Sequence, residues 1–239
     1  MDKKEFIEEF EKYLKKMQIK FSEEQYNQFY KYMNLLIEWN KKINLTAIIE
    51  PKEIILKHFV DSLTIAKYIE ENKKVADVGT GAGFPGIPLK IYRKDLKITL
   101  IDSLNKRLNF LNEVIAELEL KEINTVHGRA EELGQNKEYR EKFDIVTSRA
   151  VANLSTLSEY LIPFIKKDGK CIYMKTLELD EELEKAKKAI NILGGKIIKT
   201  DKFYLPESEI GRSIVVVEKE KQTPIKYPRK PGTPSKEPL

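Results

Sequence analysis

The sequence predicts an α/β fold: a seven-stranded, mostly parallel sheet with an antiparallel last strand, preceded by an N-terminal helical extension. Amphipathic helical patterns fill residues 2–44, and from residue 74 onward short apolar runs alternate with helical segments. The last two apolar runs stand too close together for a helical crossover. Alternation of strands and helices is typical of a parallel sheet covered on both faces.

The extension consists of amphipathic helices. Apolar residues recur at helical spacing over 2–18 and 22–44, and Ser22 with Gln25 forms a capping box at the start of the second helix. A third helix is predicted after Pro51 and runs towards Tyr68.

Seven apolar runs supply the strands, and four helices fit between them. The strands are predicted at Val75–Val78, Ile98–Ile101, Thr125–His127, Phe143–Thr147, Cys171–Met174, Lys196–Phe203 and Ser213–Val217. The helices are predicted over 86–93, 104–119, 153–166 and 178–193. A short loop with Pro206 and Gly211 joins the last two strands, which therefore form an antiparallel hairpin at one edge.

Composition narrows the classes of protein. The 239 residues are 41% hydrophobic and 34% charged, and no apolar run approaches the roughly 20 residues that a membrane span needs. No secretory signal is visible, and the single cysteine, Cys171, cannot form an intramolecular disulfide. Because only two histidines accompany it, no metal site is predicted. We expect a cytoplasmic monomer without membrane contact.

Positive charge is concentrated in the C-terminal tail. Six basic but only two acidic residues lie between Lys219 and Leu239, whereas the rest of the chain is nearly neutral. Five prolines exclude a helix or a central strand from this tail, which is expected to be extended. Two interpretations remain open, a solvated terminus and an arm that neutralises nucleic-acid phosphates.

The most informative segment is a glycine-rich turn after a buried strand, Asp77-Val78-Gly79-Thr80-Gly81-Ala82-Gly83-Phe84-Pro85-Gly86. Glycines let the backbone approach a ligand closely, and the following helix offers unpaired N–H groups, with Pro85 where a first helical position accepts proline. The next strand ends in Asp102, whose carboxylate can accept hydrogen bonds from the ribose of an adenosine cofactor. A purely structural turn is the plainer alternative.

Two cofactor classes fit this turn, the nicotinamide dinucleotides and S-adenosylmethionine. Residues 81–86 match the dinucleotide pattern G-x-G-x-x-G, but Pro85 falls inside the match. Asp77 can instead serve a ligand that carries a positive group. Residues 77–83 resemble the first motif of the class I S-adenosylmethionine-dependent methyltransferases, whose Rossmann-like sheet also ends in a hairpin. The methyltransferase interpretation is therefore favoured.

The choice of methyl acceptor depends on two further segments. The Asn/Asp-Pro-Pro-aromatic motif of amino-group methylation does not follow the fourth strand, where residues 148–153 stand instead. Cys171, the one candidate nucleophile for carbon methylation, lies in a predicted buried strand. A ring nitrogen such as guanine N7 already presents a lone pair, so it needs positioning and no general base.

Motifs along nearly the whole chain resemble one family, the bacterial 16S rRNA guanine-N7 methyltransferases called RsmG or GidB. These motifs are Trp39–Thr46, His58–Leu63, Asp77–Gly86, Asp102–Arg107, Gly128–Glu131, Ser148–Ala150 and Tyr227–Pro234. The resemblance implies methylation of N7 of one guanine, position 527 in the 530 loop of 16S rRNA, with S-adenosylmethionine as cofactor and 16S rRNA or the small ribosomal subunit as partner. Lys175-Thr176 departs from the family's Lys-Gly.

Site residues follow in two groups. From the resemblance, the predicted cofactor contacts are Gly79, Phe84, Ala130, Glu131 and Arg149. The glycine turn adds Gly81, and the ribose argument adds Asp102. The candidates for RNA contact are Asn44, His58, Lys175, Arg229 and Lys230. No residue is assigned as a chemical catalyst. Plainer roles stay open for three of these residues: a helix cap for Glu131, an ion pair for Arg149 and a core position for His58.

These features divide the chain into a helical extension (1–70), an S-adenosylmethionine-binding methyltransferase domain (71–220) and a basic, Pro-rich arm (221–239). We expect the methyl acceptor above the carboxyl ends of the strands, between Arg149, Lys175 and the segment 44–46, with the arm on rRNA phosphates. Two rivals remain: a non-catalytic rRNA- or ribosome-binding protein that keeps the fold, and a nicotinamide-dependent oxidoreductase.

Overall fold

A single twisted sheet forms the centre of the computed structural model, which describes residues 1–149 and 152–239. Its strands are β1 (Lys74–Val78), β2 (Lys97–Asp102), β3 (Ile123–His127), β4 (Phe143–Ser148), β5 (Ile165–Thr176), β6 (Gly195–Tyr204) and β7 (Gly211–Lys219). Their order is β3-β2-β1-β4-β5-β7-β6. The first five strands pair in parallel, and β7 is antiparallel to both β5 and β6. The predicted sheet is confirmed.

Helices precede the sheet and cover it. They are α1 (Lys3–Met17), α2 (Glu23–Asn40), α3 (Pro51–Ile54), α4 (Asp61–Leu63), α5 (Gly86–Tyr92), α6 (Asn105–Glu117), α7 (Ala130–Leu133), α8 (Leu154–Leu161), α9 (Asp180–Ile192) and α10 (Thr233–Lys236). A π-helical turn, Ile55–Val60, joins α3 to α4. Within the described residues, no helix combines the length and the apolar character that crossing a membrane requires.

The first two helices begin at reciprocal caps. The Ser22 hydroxyl accepts a hydrogen bond from Gln25 N, and the Gln25 side chain accepts one from Ser22 N, as predicted. Asp2 and Glu5 form the same arrangement at the start of α1. These caps satisfy backbone donors that a helix leaves unpaired at its first turn.

Three predicted helices differ from the observed ones. The helix expected over 22–44 ends at Asn40, and residues 42–44 lie in the loop that follows it. The helix expected from Pro51 to Tyr68 is broken into α3, the π-helical turn, α4 and a 3₁₀ turn at Ala66–Tyr68. The helix expected over 153–166 ends at Leu161, because a 3₁₀ turn containing Pro163 follows and proline has no N–H to donate. Strand β5 therefore begins earlier than predicted, and Cys171 is fully buried on it, as expected.

Prolines near helix starts account for two smaller corrections. Pro85 is the residue before α5, not its first residue. The C-terminal tail, from which a helix was excluded, contains the single turn α10 with Pro234 near its start. Proline is tolerated there because the first N–H groups of a helix have no intrahelical partner.

The extension and the sheet share one core. Fully buried phenylalanines of the extension pack in the same cluster as side chains of β1 and β2; the set includes Phe6, Phe10, Phe29, Phe59, Val75 and Leu100. A second cluster on the other face joins β1, β4 and β5 to α8 and α9. Because successive strand residues point to opposite faces, Val75 belongs to the first cluster and Ala76 to the second.

Candidate cofactor and acceptor site

The glycine turn lies at the carboxyl end of β1, where open parallel sheets bind ligands. Gly79, Gly81 and Gly83 have φ values of +71°, +61° and +98°, a region that favours glycine. A Cβ at Gly83 would also lie 2.8 Å from the Tyr32 hydroxyl of helix α2. The turn is therefore shaped by its own backbone and by contact with the extension.

Asp77, at the start of this turn, accepts hydrogen bonds from two of its residues. Its buried carboxylate accepts hydrogen bonds at Oδ2 from Thr80 Oγ1 at 2.7 Å and from Gly86 N at 2.9 Å. Among the described residues, Asp77 Oδ1 and the neighbouring Ser148 Oγ are buried without a hydrogen-bond partner. Burial raises the pKa of Asp77 to about 6, against the hydrogen bonds from Thr80 and Gly86. These unpaired oxygens suit a ligand that brings a donor or a positive group, as S-adenosylmethionine does.

Asp102 stands at the end of β2 beside the same turn. Oδ2 accepts from Gly81 N at 3.0 Å and from Arg107 Nη1 at 3.3 Å, while Oδ1 accepts from Leu104 N at 2.9 Å. The side chain is buried, yet a carboxylate has about four lone-pair positions and can accept further bonds. Asp102 thus holds the turn in place, and its ribose contact remains a prediction.

Ala130 and Glu131 begin helix α7 after β3. Glu131 is buried, and its Oε1 accepts a hydrogen bond from Gly232 N of the C-terminal tail at 3.0 Å. Arg129 Nη2 lies 3.6 Å from the same oxygen. Glu131, a predicted cofactor contact, is therefore also a contact of the tail.

Arg149, at the end of β4, connects the glycine turn to the extension. Its Nη1 donates to Lys57 O at 3.0 Å and to Asp61 Oδ2 at 3.3 Å, and its Nη2 donates to His58 Nδ1 at 2.9 Å. The guanidinium carbon lies 4.8 Å from the centroid of the Phe84 ring. The two predicted cofactor contacts Phe84 and Arg149 are thus in direct contact with each other.

A cavity of about 490 Å³ opens beside Arg149. It is lined by Ile48, Lys57, His58, Asp61, Arg149, Met174, Lys175, Thr176 and Arg212. Arg212 Nε donates to Asp61 Oδ1 at 3.0 Å, so one carboxylate joins two arginines. Of the three groups expected to flank the methyl acceptor, Arg149 and Lys175 line this cavity, whereas the segment 44–46 does not.

The five candidates for RNA contact occupy different environments. His58 is buried, and Lys175 donates to Ala152 O at 3.0 Å and pairs with Glu182 at 2.6 Å. Arg229 makes a two-pronged ion pair with the fully buried Glu159, at 2.9 and 2.6 Å. Asn44 and Lys230 are exposed. The structure therefore brings two candidates to the cavity, engages Arg229 in an ion pair and leaves two on the surface.

Sequence reasoning missed three residues of this site. The Tyr32 hydroxyl donates to Ala82 O in the glycine turn, although helical spacing marks this tyrosine only as a core residue. Asp61 stands within the His58–Leu63 motif, which could have drawn attention to it. Arg212 had one signal, a charged residue at the start of the otherwise apolar strand β7.

Comparisons with known proteins identify the family. A family model described as rRNA small subunit methyltransferase G matches residues 25–210. The ribosomal RNA small subunit methyltransferase G of Desulforamulus reducens is 57% identical over 94% of this chain and 95% of that protein. The protein of the same name from Clostridium botulinum (strain Loch Maree) is 54% identical over 92% of both chains.

Solved structures share the fold at low sequence identity. TYW2 of M. jannaschii, solved in complex with AdoMet, has a TM-score of 0.52 and 19% identity over 66% of this chain and 72% of that one. The fibrillarin pre-rRNA processing protein of Methanococcus jannaschii has a TM-score of 0.51 and 18% identity over 64% and 69%. At this level of identity the solved structures show only a shared fold. The family model and the relatives above 50% identity cover most of the chain and show the family. The chain therefore belongs to the rRNA small subunit methyltransferase G family, the one that its motifs resemble.

Proposed function

We propose that this chain is an enzyme that transfers a methyl group from S-adenosylmethionine to N7 of guanine 527 in the 530 loop of 16S rRNA. Its family is one of rRNA methyltransferases. The observation that carries the proposal is the position of Arg149, which contacts Phe84 in the glycine turn and also lines the adjoining cavity. One side chain thus borders both the cofactor site and the acceptor site.

The cofactor site is assigned to the carboxyl ends of β1, β2 and β4. S-adenosylmethionine supplies a methyl group on a positively charged sulfur. We assign Asp77 Oδ1 and Ser148 Oγ to its amino acid part, because both are buried and lack a partner among the described residues. Asp102 is assigned to the ribose, and Ala130 with Glu131 to the adenine edge.

The acceptor site is assigned to the cavity. Lys57, Arg149, Lys175 and Arg212 line it with one carboxylate, Asp61. Glu53 pairs with Lys57 and Glu182 pairs with Lys175, so a single positive charge remains in excess to attract RNA phosphate. Ile48 and Met174 add apolar surface on which a base can lie. Because guanine N7 carries a lone pair, these residues need only hold the base in line with the methyl group. No general base is required.

Three of the exposed lysines of the tail, Lys226, Lys230 and Lys236, are assigned to rRNA phosphates outside the cavity. Lys219 is fully buried and Arg229 is paired with Glu159, so these two basic residues are engaged within the protein. The tail consequently offers less positive surface than its composition predicts.

The experiment is methyl transfer from labelled S-adenosylmethionine to undermethylated 16S rRNA and, separately, to small-subunit particles, followed by digestion to nucleosides. N7-methylguanosine at one site is the expected product. Cofactor binding without transfer to either substrate would move the acceptor to another molecule. Absence of cofactor binding in a thermal-shift assay would favour the non-catalytic, ribosome-binding alternative.

The nicotinamide alternative is disfavoured by the sheet. Dinucleotide-binding domains of the classical kind have six parallel strands in the order 3-2-1-4-5-6. Here the antiparallel strand β7 separates β5 from β6. A thermal shift with NADH but not with S-adenosylmethionine would restore that alternative.

A further inference from the structure

His58 lies buried between the predicted cofactor contact Arg149 and the loop that follows helix α2. Its Nδ1 is 2.9 Å from Arg149 Nη2, and its Nε2 is 2.9 Å from Thr46 Oγ1. The imidazole ring also stacks on Phe84, with centroids 4.3 Å apart and planes 17° from parallel. Both ring nitrogens and one face of the ring are therefore engaged by other residues of the protein.

The contacts fix the protonation of this ring. A guanidinium has only donors, so Nδ1 must accept and carries no hydrogen. The hydrogen therefore sits on Nε2, which donates to Thr46 Oγ1. Burial and the positive charge of Arg149 lower the pKa of His58 to about 3, so the ring stays neutral at physiological pH.

Local backbone geometry places His58 at this point. It lies in the π-helical turn Ile55–Val60, a rare conformation that is frequent at functional sites. On the other side, Asn40 Oδ1 accepts hydrogen bonds from Leu45 N and Thr46 N and so holds the loop that carries the Thr46 hydroxyl. A chain of hydrogen bonds runs from α2 through His58 to Arg149.

We propose that His58 is a positioning residue: it holds the guanidinium of Arg149 over the Phe84 ring, between the glycine turn and the acceptor cavity. This inference rests on the proposed function. It assigns His58 a role other than the RNA contact predicted from the sequence. Among the described residues, the contacts to His58, Lys57 O and Asp61 engage three of the five N–H donors of Arg149.

Two substitutions separate the contact of His58 with Arg149 from its contact with Thr46. His58→Asn keeps an acceptor at the position of Nδ1 and loses the donor to Thr46, whereas His58→Gln keeps a donor near Nε2 and loses the acceptor for Arg149. We expect His58→Gln to lower kcat/KM for rRNA by about tenfold to a hundredfold, the scale of a misplaced contact, and to weaken cofactor binding in calorimetry. His58→Asn should lose less than His58→Gln in both measurements, because it keeps the acceptor for Arg149.

Thermal unfolding of both variants controls for a merely structural role, because each variant loses one hydrogen bond and a similar loss of stability is expected. Equal loss of kcat/KM in both variants, or no loss in either, would overturn the proposal. Weaker rRNA binding with unchanged cofactor affinity in His58→Gln would instead restore the RNA-contact role.

A double-mutant cycle gives an independent test. In a protein that already carries Arg149→Lys, adding His58→Gln should have little further effect on cofactor affinity. The planar guanidinium that His58 orients is absent from that protein. Additive effects would contradict the proposal. If the wild-type protein binds S-adenosylmethionine but methylates no rRNA, the proposed function fails, while the calorimetric comparison still decides the role of His58.

Discussion

The two oxygens of the Asp77 carboxylate have different surroundings. Oδ2 closes the glycine turn through Thr80 and Gly86, and Oδ1 has no partner among the described residues. With a pKa raised to about 6 by burial, the group is mostly ionised at neutral pH and can attract a cation. One side chain therefore both shapes the turn and provides it with charge.

Asp77→Asn is expected to keep the turn, since an amide oxygen can replace Oδ2, but to weaken cofactor binding by about tenfold to a hundredfold, the scale of a lost charged hydrogen bond. In the wild type, affinity should fall as the pH drops below about 6, because the carboxyl group becomes protonated. The variant should lack this dependence. Calorimetry from pH 5 to pH 8 measures both effects, and a flat wild-type profile would contradict the assignment.

Lys219 offers a prediction about stability. The fully buried ammonium donates to Ile162 O and Thr223 Oγ1 and pairs with Glu141 at 3.1 Å. We expect Lys219→Met to lower the free energy of unfolding by about 2 kcal/mol at pH 7, because these acceptors lose their donor.

The pH dependence of this loss has a definite sign. Burial lowers the pKa of Lys219 from 10.5 to about 8. Between these values the unfolded chain binds more protons than the folded one, so the wild type gains stability as the pH rises. The difference between wild type and Lys219→Met should therefore be larger at pH 9.5 than at pH 7 in urea unfolding. An equal difference at both pH values would show that the ammonium does not titrate as described.

At the scale of elements, the helical extension is part of the candidate site. Helix α2 supplies the Tyr32 hydroxyl to Ala82 O, and the π-helical turn supplies His58 to Arg149. Tyr32 also packs on the Phe59 and Phe84 rings. The extension therefore contacts the glycine turn directly and supports it.

Tyr32→Phe tests this support. The change leaves a buried carbonyl, Ala82 O, without its donor, and we expect the free energy of unfolding to fall by about 1 to 2 kcal/mol and cofactor affinity to fall with it. Tyr30→Phe in the same helix is the matched control, because its hydroxyl contacts Met1 O at 3.3 Å, away from the turn. Equal effects of the two substitutions on cofactor affinity would argue that the Tyr32 hydroxyl does not support the glycine turn.

Elements differed in how well the sequence predicted them. Strands such as β1 and β2 follow from apolar runs, and the glycine turn follows from its motif, because both signals are local. The π-helical turn was missed because Ile55, Phe59 and Leu63 keep ordinary helical spacing. Periodicity shows which face of a helix is buried but not what it contacts, so the bond from Tyr32 to the turn required the structure.

At the scale of the whole molecule, the C-terminal tail packs against the body of the protein. Arg140 donates to Thr223 O and Tyr227 O at 2.7 Å, and Arg229 pairs with Glu159. The tail then reaches Glu131 through Gly232 N. A basic and Pro-rich composition did not predict these contacts, because residue type alone does not distinguish a lysine in solvent from an arginine that pairs with a buried carboxylate.

Two adjacent residues separate the roles of this tail. Arg229→Ala leaves the carboxylate of Glu159 buried without a cationic partner, with only the backbone N–H of residue 229 as donor from the tail, so we expect it to lower the free energy of unfolding by about 3 kcal/mol. Lys230→Ala should leave stability unchanged but lower the salt dependence of rRNA binding, by about 0.7 to 0.9 in log–log slope if it removes one phosphate contact. Chemical unfolding and binding at several salt concentrations check the pair. A smaller salt slope for Arg229→Ala, at a stability equal to the wild type, would reverse these assignments.

The contacts that complete the site join distant parts of the chain. Asp61 meets Arg212, 151 positions later, and Glu131 meets Gly232, 101 positions later. During synthesis, the glycine turn is therefore made long before the residues that enclose it. A chain synthesised only as far as residue 211 lacks Arg212 and Gly232. These two contacts of the candidate site can therefore form only after most of the sequence has been made, by closure of long loops.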